Sequence, residues 1–505
     1  MRPGSAPVLM VQGTSSSVGK SLLVTGLCRL FADAGVRVAL FKAQNMSNNA
    51  AVTDTGGEIG RAQWVQARAA RARPRVEMNP VLLKPESDHR SQVILLGRPL
   101  GTFGYRDYRS RRDQTWPAVT ASLDALRAEY DLVLIEGAGS PAETNLRDRD
   151  IVNMAVALYA QAPVLLAGDI DRGGVFAHLY GTWALVAPEE RALVRGFILN
   201  KFRGDASLLT PAIDDLRRLT GVPTAGIVPW FPRHDIPEED AVALETRPAA
   251  PGGAWPGVDV AVVRFPRIAN FDDLDPLLAE PDVRVRWVES AAEWGDPDLV
   301  ILPGTKSTIA DLDWMRGQGL DAALSASASR GAAVLGLCGG YQMLGTAILD
   351  PAHVESARER AEGLGLLAVT TAFAPEKRTA QSEARVVAGR GLLAGAEGLL
   401  VTGYEIHAGQ TAPDGAADTP AVALPDGTPA GVLDGGGWVA GCYLHGLLHH
   451  TELRRRVLAN VAQRRGRRYA PAPPPDDEAA FDRLAAALRA SLDLSLLHGL
   501  TGIEV

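Results

Sequence analysis

Apolar residues fall along this chain in short unbroken runs, separated by longer stretches in which they recur every three or four positions. Val8–Val11, Val36–Phe41, Leu132–Ile135, Val164–Ala167 and Gly196–Leu199 read as buried strands. Lys20–Ala34 and Thr115–Glu129 read as helices between them. Strands buried on both faces and alternating with helices predict a parallel sheet covered on both sides. The pattern breaks between about Arg233 and Gly257, a stretch rich in Pro, Glu, Ala and Gly that reads as a linker. A second α/β series follows: Val258–Val263, Val283–Trp287, Leu299–Leu302, Ala333–Leu337 and Trp438–Tyr443. A loop-rich stretch, Ala412–Gly437, interrupts it, and an amphipathic helix over Asp476–Leu492 closes the chain. The expected division is a first domain over 1–235, a linker over 236–256, a second domain over 257–453 and a helical tail over 454–505.

Composition narrows the class without naming a function. At 505 residues the chain exceeds what one core holds. Its 46% apolar and 22% charged residues are ordinary for a globular protein. A net charge of −8 argues against a nucleic-acid partner. Three cysteines, Cys28, Cys338 and Cys442, make no disulfide framework and fit a reducing cytoplasm. No run approaches the ~18 apolar residues that cross a bilayer. A cytoplasmic protein without a membrane span is expected, with homo-oligomerisation left open. The cluster Arg464-Arg465-Gly466-Arg467-Arg468, ahead of Pro471–Pro475, reads as a solvated helix end, with anion binding as the alternative.

Candidate chemistry begins where the first strand runs into Gly13-Thr14-Ser15-Ser16-Ser17-Val18-Gly19-Lys20-Ser21. A glycine-bearing loop between a strand and a helix aims backbone N–H groups at phosphate. Gly13, Thr14, Ser17, Val18 and Gly19 would form the cradle, Lys20 would reach the terminal phosphates of ATP, and Ser21 would ligate Mg²⁺. Standard Walker A spacing puts its first glycine at the position of Thr14, whereas here it stands one step earlier, at Gly13. This longer loop resembles that of dethiobiotin synthetase and its relatives. Glu136 ends a buried strand ahead of Gly137-Ala138-Gly139, at the sheet edge where ligands bind, and suits Mg²⁺. Lys42 ends another strand and could neutralise a transferring phosphoryl group. Beyond it lie the amide cluster Gln44–Asn49, with Asn45 a candidate substrate contact, and then Asp54 and Glu58, either of which could add a carboxylate to the metal position. Asp171, after the strand Val164–Ala167, belongs to a candidate substrate or nucleotide loop.

The other centre is Cys338, in Gly336-Leu337-Cys338-Gly339-Gly340. A buried strand turns sharply into a helix there, and flanking glycines relieve the crowding and would expose the thiol. A helix N-terminus favours thiolate. The Gly339 N–H and one from the loop at Gly304 would form an oxyanion hole. Sequence order allows either His445 or His407 as the base. Cys28 and Cys442 read as structural.

Gly336–Gly345 with Gly441–Gly446 resemble class I glutamine amidotransferase domains. Those domains carry a glutamate two residues after the catalytic histidine, where this chain has Leu447. That departure leaves His445 with no sequence-adjacent carboxylate to orient it. Further matches run through Gly13–Ser21, Phe41–Asn49, Gly56–Gln63, Met78–Pro80, Glu136–Ser140, Asp171–Phe176, Leu302–Thr308 and Gly403–Gly409. Together they are similar to the cobyric acid synthase family of cobalamin-biosynthesis amidotransferases. The resemblance implies a dethiobiotin-synthetase-like P-loop domain joined to a class I glutamine amidotransferase domain. It implies ATP, Mg²⁺ and glutamine, and amidation of the b, d, e and g carboxylates of adenosylcobyrinic acid a,c-diamide, a corrinoid. In that chemistry the acidic stretch Glu143–Asp150 is a candidate for positioning the corrinoid or the acyl phosphate, with Asp150 its leading residue. The nearest alternative is a cobyrinic acid a,c-diamide synthase, against which the Lys42–Asn49 and Asp171–Phe176 motifs count. An alternative of another class is a P-loop switch ATPase fused to an amidotransferase-like interaction module, against which the longer loop and the cysteine–histidine pair count.

Overall fold

Six short strands, most of them apolar throughout, form one parallel sheet in the first lobe. Its order is Thr224–Pro229, Val194–Phe202, Val164–Asp169, Val8–Gly13, Leu132–Glu136 and Val38–Phe41. Because the strands are parallel, Gly13, Lys42, Glu136 and Asp169 all arrive at the same carboxyl edge, where ligands bind in open α/β sheets. The computed structural model describes residues 5–231, 236, 255–415, 418–471, 473 and 476–505. The expected linker over 236–256 lies outside the described residues apart from Ile236, Trp255 and Pro256, and Ile236 belongs to the first lobe's core.

Between Phe41 and Leu132 the chain makes an excursion that apolar periodicity did not signal. Gln44–Met46, Val81–Pro85, Arg90–Leu95 and Arg98–Gly104 form a small four-stranded sheet. Ala50–Val52 pairs antiparallel with Glu58–Gly60. A helix over Arg61–Ala69, here α2, follows. It lies against α1, the helix over Lys20–Asp33 that carries the phosphate loop's lysine and serine.

The second lobe has an eleven-stranded sheet. Its parallel part runs Val283–Val288, Val258–Val263, Leu299–Leu302, Ala333–Leu337 and Val439–Cys442. It continues antiparallel through Pro429–Leu433 and Thr419–Ala423 to the long strand Val369–Val386, which pairs with Leu400–Pro413. The stretch Ala412–Gly437, expected to be loop-rich, therefore contains two strands. Pro420, Pro429 and the Asp426-Gly427 turn obscure their alternation.

The expected tail also divides. The helix Thr451–Arg465 buries Leu453, Val457, Leu458 and Val461 in the second lobe. The helix Asp477–Ser491 returns to the first lobe, burying Phe481, Leu484 and Leu488 there. Each apolar stripe needs its own core, so residues 454–505 serve both lobes. The basic cluster at this helix end is solvated only in part: Arg464 and Arg468 are exposed, whereas Arg465 and Arg467 both hold the fully buried Asp298 at 3.0 Å. Among the described residues no helix is long and apolar enough to cross a membrane.

Polar contacts join the lobes. Glu58 takes Lys84 of its own lobe at 2.5 Å and Lys377 of the second lobe at 2.7 Å. Lys306 reaches Glu86 at 2.7 Å, and the exposed Asp88 takes Arg267 at 2.6 Å.

Candidate active site

The phosphate loop is built on conformations and clearances that its sequence permits. Gly19 caps α1 at φ 94, and a Cβ there would sit 2.4 Å from Asn200 Nδ2. Ser17 is also left-handed, at φ 60. Lys20 is buried, its Nζ donating to the carbonyls of Ser15 at 3.1 Å and Gly139 at 3.2 Å. Gly13 ends the first strand, and the Thr14 N–H donates to the Ala167 carbonyl at 2.9 Å, so that amide is committed to the sheet edge and not to phosphate. The Val18 carbonyl accepts from Asn200 Nδ2 at 2.7 Å, and the Ser17 carbonyl accepts from Lys201 Nζ at 2.7 Å. Lys201 also pairs with Asp169 at 2.8 Å. Asn200 and Lys201 escaped the sequence reading, although they lie near the end of the strand Val194–Phe202, at the same carboxyl edge.

Glu136 is the hub of this centre. Its Oε1 accepts from Ser21 Oγ at 2.8 Å and pairs with Lys42 Nζ at 2.8 Å. Its Oε2 accepts from Gln66 Nε2 at 2.5 Å. Glu136 and Lys42 are both buried. Removing two such charges from water costs several kcal/mol per ion, so the pair is poor as a mere stabiliser. The oxygens of Ser21 and Glu136 are the hard donors Mg²⁺ prefers, and the buried Gln66 Oε1 beside them has no hydrogen-bond partner among the described residues. Among the described residues no three His, Cys, Asp or Glu side chains form a metal cage. That fits an ion held by one carboxylate, a hydroxyl and substrate phosphates.

The remaining expected site residues fall elsewhere. Asp54 stands exposed on the turn between Ala50–Val52 and Glu58–Gly60, where neighbouring Gly56 faces the Thr379 carbonyl of the second lobe. Glu58, the other candidate carboxylate, is neutralised by Lys84 and Lys377. Asn45 is buried, accepting from the Met46 N–H and donating to Gln63 Oε1 at 2.8 Å. Asp150 spends both oxygens on the N–H groups of Val152, Asn153 and Ala155, as a cap does. Asp171 is exposed, with Arg203 3.8 Å away.

In the second lobe, Cys338 links the strand Ala333–Leu337 to a helix over Gly339–Leu344 at φ 48, ψ −107, a costly conformation for a non-glycine residue. The turn fits because Gly340 is bare: a Cβ there would lie 2.0 Å from the Leu302 carbonyl. The thiol, expected to be exposed, is buried, with Sγ 3.7 Å from the Ile406 carbonyl on the strand Leu400–Pro413. Gly304 lies against the imidazole, a Cβ there falling 3.2 Å from His445 Cε1, and Gly339 lies against Thr305.

His445 is held by a residue the sequence reading missed. Its Nδ1 is 2.7 Å from Asp273 Oδ2, and the other Asp273 oxygen accepts from the Gly446 N–H at 2.6 Å. The Tyr404 ring stacks on the imidazole at 5.2 Å. Burial opposes charge on His445, yet Asp273 and the hydrogen-bonded Cys338 push its pKa up to about 10. Burial likewise opposes charge on Asp273, and the charge and hydrogen bond of His445 hold its pKa below the ordinary value. A carboxylate on the far nitrogen fixes the tautomer and turns the near nitrogen toward the sulfur. His407 is engaged differently, its Nδ1 2.7 Å from the Gly409 carbonyl and its ring stacked 3.8 Å from Tyr443.

Comparison with known proteins agrees with this pairing of centres. Residues 9–241 match the family described as CobQ/CobB/MinD/ParA nucleotide binding domain, and residues 259–453 match the CobB/CobQ-like glutamine amidotransferase domain. A cobyric acid synthase of Sorangium cellulosum is 53% identical over 99% of both chains. The chain belongs to the cobyric acid synthase family. A relative of the same name in Dehalococcoides mccartyi is 47% identical over 98% of this chain and 99% of that one. One from Moorella thermoacetica is 46% identical over 99% and 98%. Leu447, where class I relatives carry glutamate, is buried in the second lobe's core, and Asp273 stands on the imidazole instead.

Proposed function

We infer that this protein is a glutamine-hydrolysing carbon–nitrogen ligase of cobalamin biosynthesis. It amidates the b, d, e and g carboxylates of adenosylcobyrinic acid a,c-diamide with ATP and glutamine. The observation that carries the reading is the joining, in one chain with full-length cobyric acid synthase relatives, of a buried Cys338–His445–Asp273 set to a Ser21–Lys42–Glu136 phosphate centre.

The Cys338 proton passes to His445, and the thiolate attacks the side-chain carbonyl carbon of glutamine. The Gly339 N–H and the Gly304 loop stabilise the oxyanion. His445 returns the proton to the departing nitrogen, ammonia leaves, and a glutamyl thioester remains. Water, deprotonated by His445, releases glutamate. In the first lobe a corrinoid carboxylate takes the γ-phosphoryl group of ATP. An acyl phosphate has the leaving group that a carboxylate lacks, so ammonia displaces phosphate and leaves the amide. Lys20 and Lys42 hold the phosphoryl oxygens. Ser21 and Glu136 would hold Mg²⁺, which would neutralise charge on the β- and γ-phosphates. All three cysteines are free and buried, in keeping with work in the reducing cytoplasm.

Mass spectrometry of the corrinoid tests the reading. Four added amides are expected, with one ATP and one glutamine consumed for each. Two amides added to cobyrinic acid would instead identify a diamide synthase. C338S should stop glutamine-dependent synthesis and leave ammonia-dependent synthesis intact. Glutamine-dependent synthesis surviving in that variant would take the nucleophile's role from Cys338, and a wild type that adds no amide from either nitrogen source would sink the ligase reading.

A further inference from the structure

Helix α2 touches both centres. At its first residue, Arg61 crosses the lobe boundary, its guanidinium 3.0 Å from Asp272 Oδ2, with both side chains buried. Asp272 adjoins Asp273, which holds His445. Arg61 is the counter-charge for a carboxylate whose other oxygen, Oδ1, is buried without a hydrogen-bond partner among the described residues. It also lies near enough to Tyr404, the ring stacked on His445, to act on it electrostatically. The neighbouring chain is stitched across the same boundary: the Ala50 N–H donates to Asn270 Oδ1 at 2.9 Å, and the Phe271 N–H donates to Asn49 Oδ1 at 3.4 Å. Further along the helix, roughly 7.5 Å by its rise, Gln66 holds Glu136 Oε2 and donates to the Ser21 carbonyl at 3.3 Å.

We propose that α2 is a positioning strut between the two chemistries: nucleotide at the Ser21–Glu136 centre, sensed by Gln66, is relayed through Arg61 and the Asp272-Asp273 turn to the His445 imidazole, which activates Cys338. The inference rests on the amidation reading. Its physical basis is competition. Phosphate and metal recruit Glu136 and Ser21, so Gln66 must change its bonds to both. A two-turn helix moves as a body, and its other end is an ion pair that cannot break without leaving buried Asp272 unpaired. The phosphate site thus biases the geometry of the glutaminase site through differential contacts in two states. Arg61 touches no substrate and is a positioning residue.

The test uses the full chain and two readouts: glutaminase turnover, and the rate at which 6-diazo-5-oxo-L-norleucine alkylates Cys338. Each is measured with and without a non-hydrolysable ATP analogue and Mg²⁺. In the wild type the nucleotide should raise both, by roughly tenfold. R61M should lose that stimulation, through kcat more than through the KM for glutamine, and R61K should restore part of it. D272N should match R61M, and the double variant should be no worse than either alone. Ammonia-dependent synthesis should stay within about twofold throughout. D88N, which removes a surface ion pair between the lobes, should keep full stimulation. Full stimulation in R61M or D272N, additive losses in the double variant, no rescue by R61K, or loss of ammonia-dependent synthesis in step would each overturn the relay. D272N carries the test if R61M does not fold. A wild type that adds no amide even from ammonia would defeat the ligase reading itself, whereas failure of the relay leaves wild-type synthesis intact.

Discussion

The phosphate centre and the glutaminase centre solve the same problem, holding charged side chains ready in a dry site, in opposite ways. In the first lobe the charges hold one another: Lys42, Ser21 and Gln66 all converge on Glu136. These groups stand at one sheet edge and on the two helices beside it. In the second lobe the set is drawn from three remote segments: Asp273 from a short turn after Asn270, Cys338 from an elbow, and His445 after a late strand. The first arrangement is a property of a local loop and of parallel topology. The second exists only when the second lobe has closed on itself, so its orienting acid can come from any segment that reaches the imidazole.

The sharpest way to break this contrast is E136Q. It leaves Lys42 buried without its carboxylate and removes the charged oxygen suited to metal. Synthesis from glutamine and from ammonia should both fall, by roughly 10³-fold, while basal glutaminase persists. Steady-state assays with each nitrogen source check this. D273N should act on one side only. Glutamine-dependent synthesis should fall roughly 10²- to 10⁴-fold, with ammonia-dependent synthesis preserved. The pH dependence has a definite sign. The His445 pKa rises from 6.5 to about 10 on folding. The stability contributed by its charged form is therefore full below about 6.5 and lost as pH climbs through about 10. Urea unfolding across that window should show the loss in the wild type and much less of it in D273N.

The contrast also explains what was legible in the sequence. Strand–loop–helix order with Gly19-Lys20-Ser21 was enough to single out the candidate phosphate loop, because backbone geometry and residue type are set within a few positions. Glu136 and Lys42 could be singled out, and they meet in the structure, because strand ends in a parallel sheet share an edge. Asp273 was not found: nothing in Asn270-Phe271-Asp272-Asp273 marks it off from any acidic turn, and its partner lies far along the chain. Leu447 gave only the negative half of the answer. The sheet and hairpin over residues 44–104 were missed for a related reason: several strands are three residues long, and their burial comes partly from the second lobe. Glu58, whose carboxylate read as a ligand, is spent on Lys84 and Lys377 at the lobe boundary, and Asn45 is spent on Gln63 and the Met46 N–H within the first lobe.

Glu58 offers a test that belongs to neither centre. Burial resists its charge, yet Lys377 and Lys84 hold its pKa down at about 2. Its contribution to stability is present above the ordinary value of 4.5 and lost as pH falls through about 2. E58Q leaves the buried Lys84 and the partly buried Lys377 without their carboxylate, and unfolding free energy should drop by roughly 3 kcal/mol. Denaturant midpoints at neutral pH measure this. The isolated chemistry of either centre, assayed well below the melting temperature, should change far less than in E136Q or D273N.

The smallest expected effect separates a residue that looks like a ligand from one that is spent on the backbone. Asp150 accepts N–H bonds from Val152, Asn153 and Ala155, all between 2.8 and 2.9 Å. Those amides open the helix Met154–Ala160, beside the loop that follows Glu136. A carboxylate so employed has little left for a corrinoid, so D150A should cost about 1 kcal/mol of stability, the usual loss for a missing cap. The KM for corrinoid should stay within about twofold. D150N keeps one acceptor oxygen and should recover part of the stability. A tenfold rise in corrinoid KM for D150A with stability unchanged would place Asp150 on the substrate and extend the first lobe's centre past Gly139.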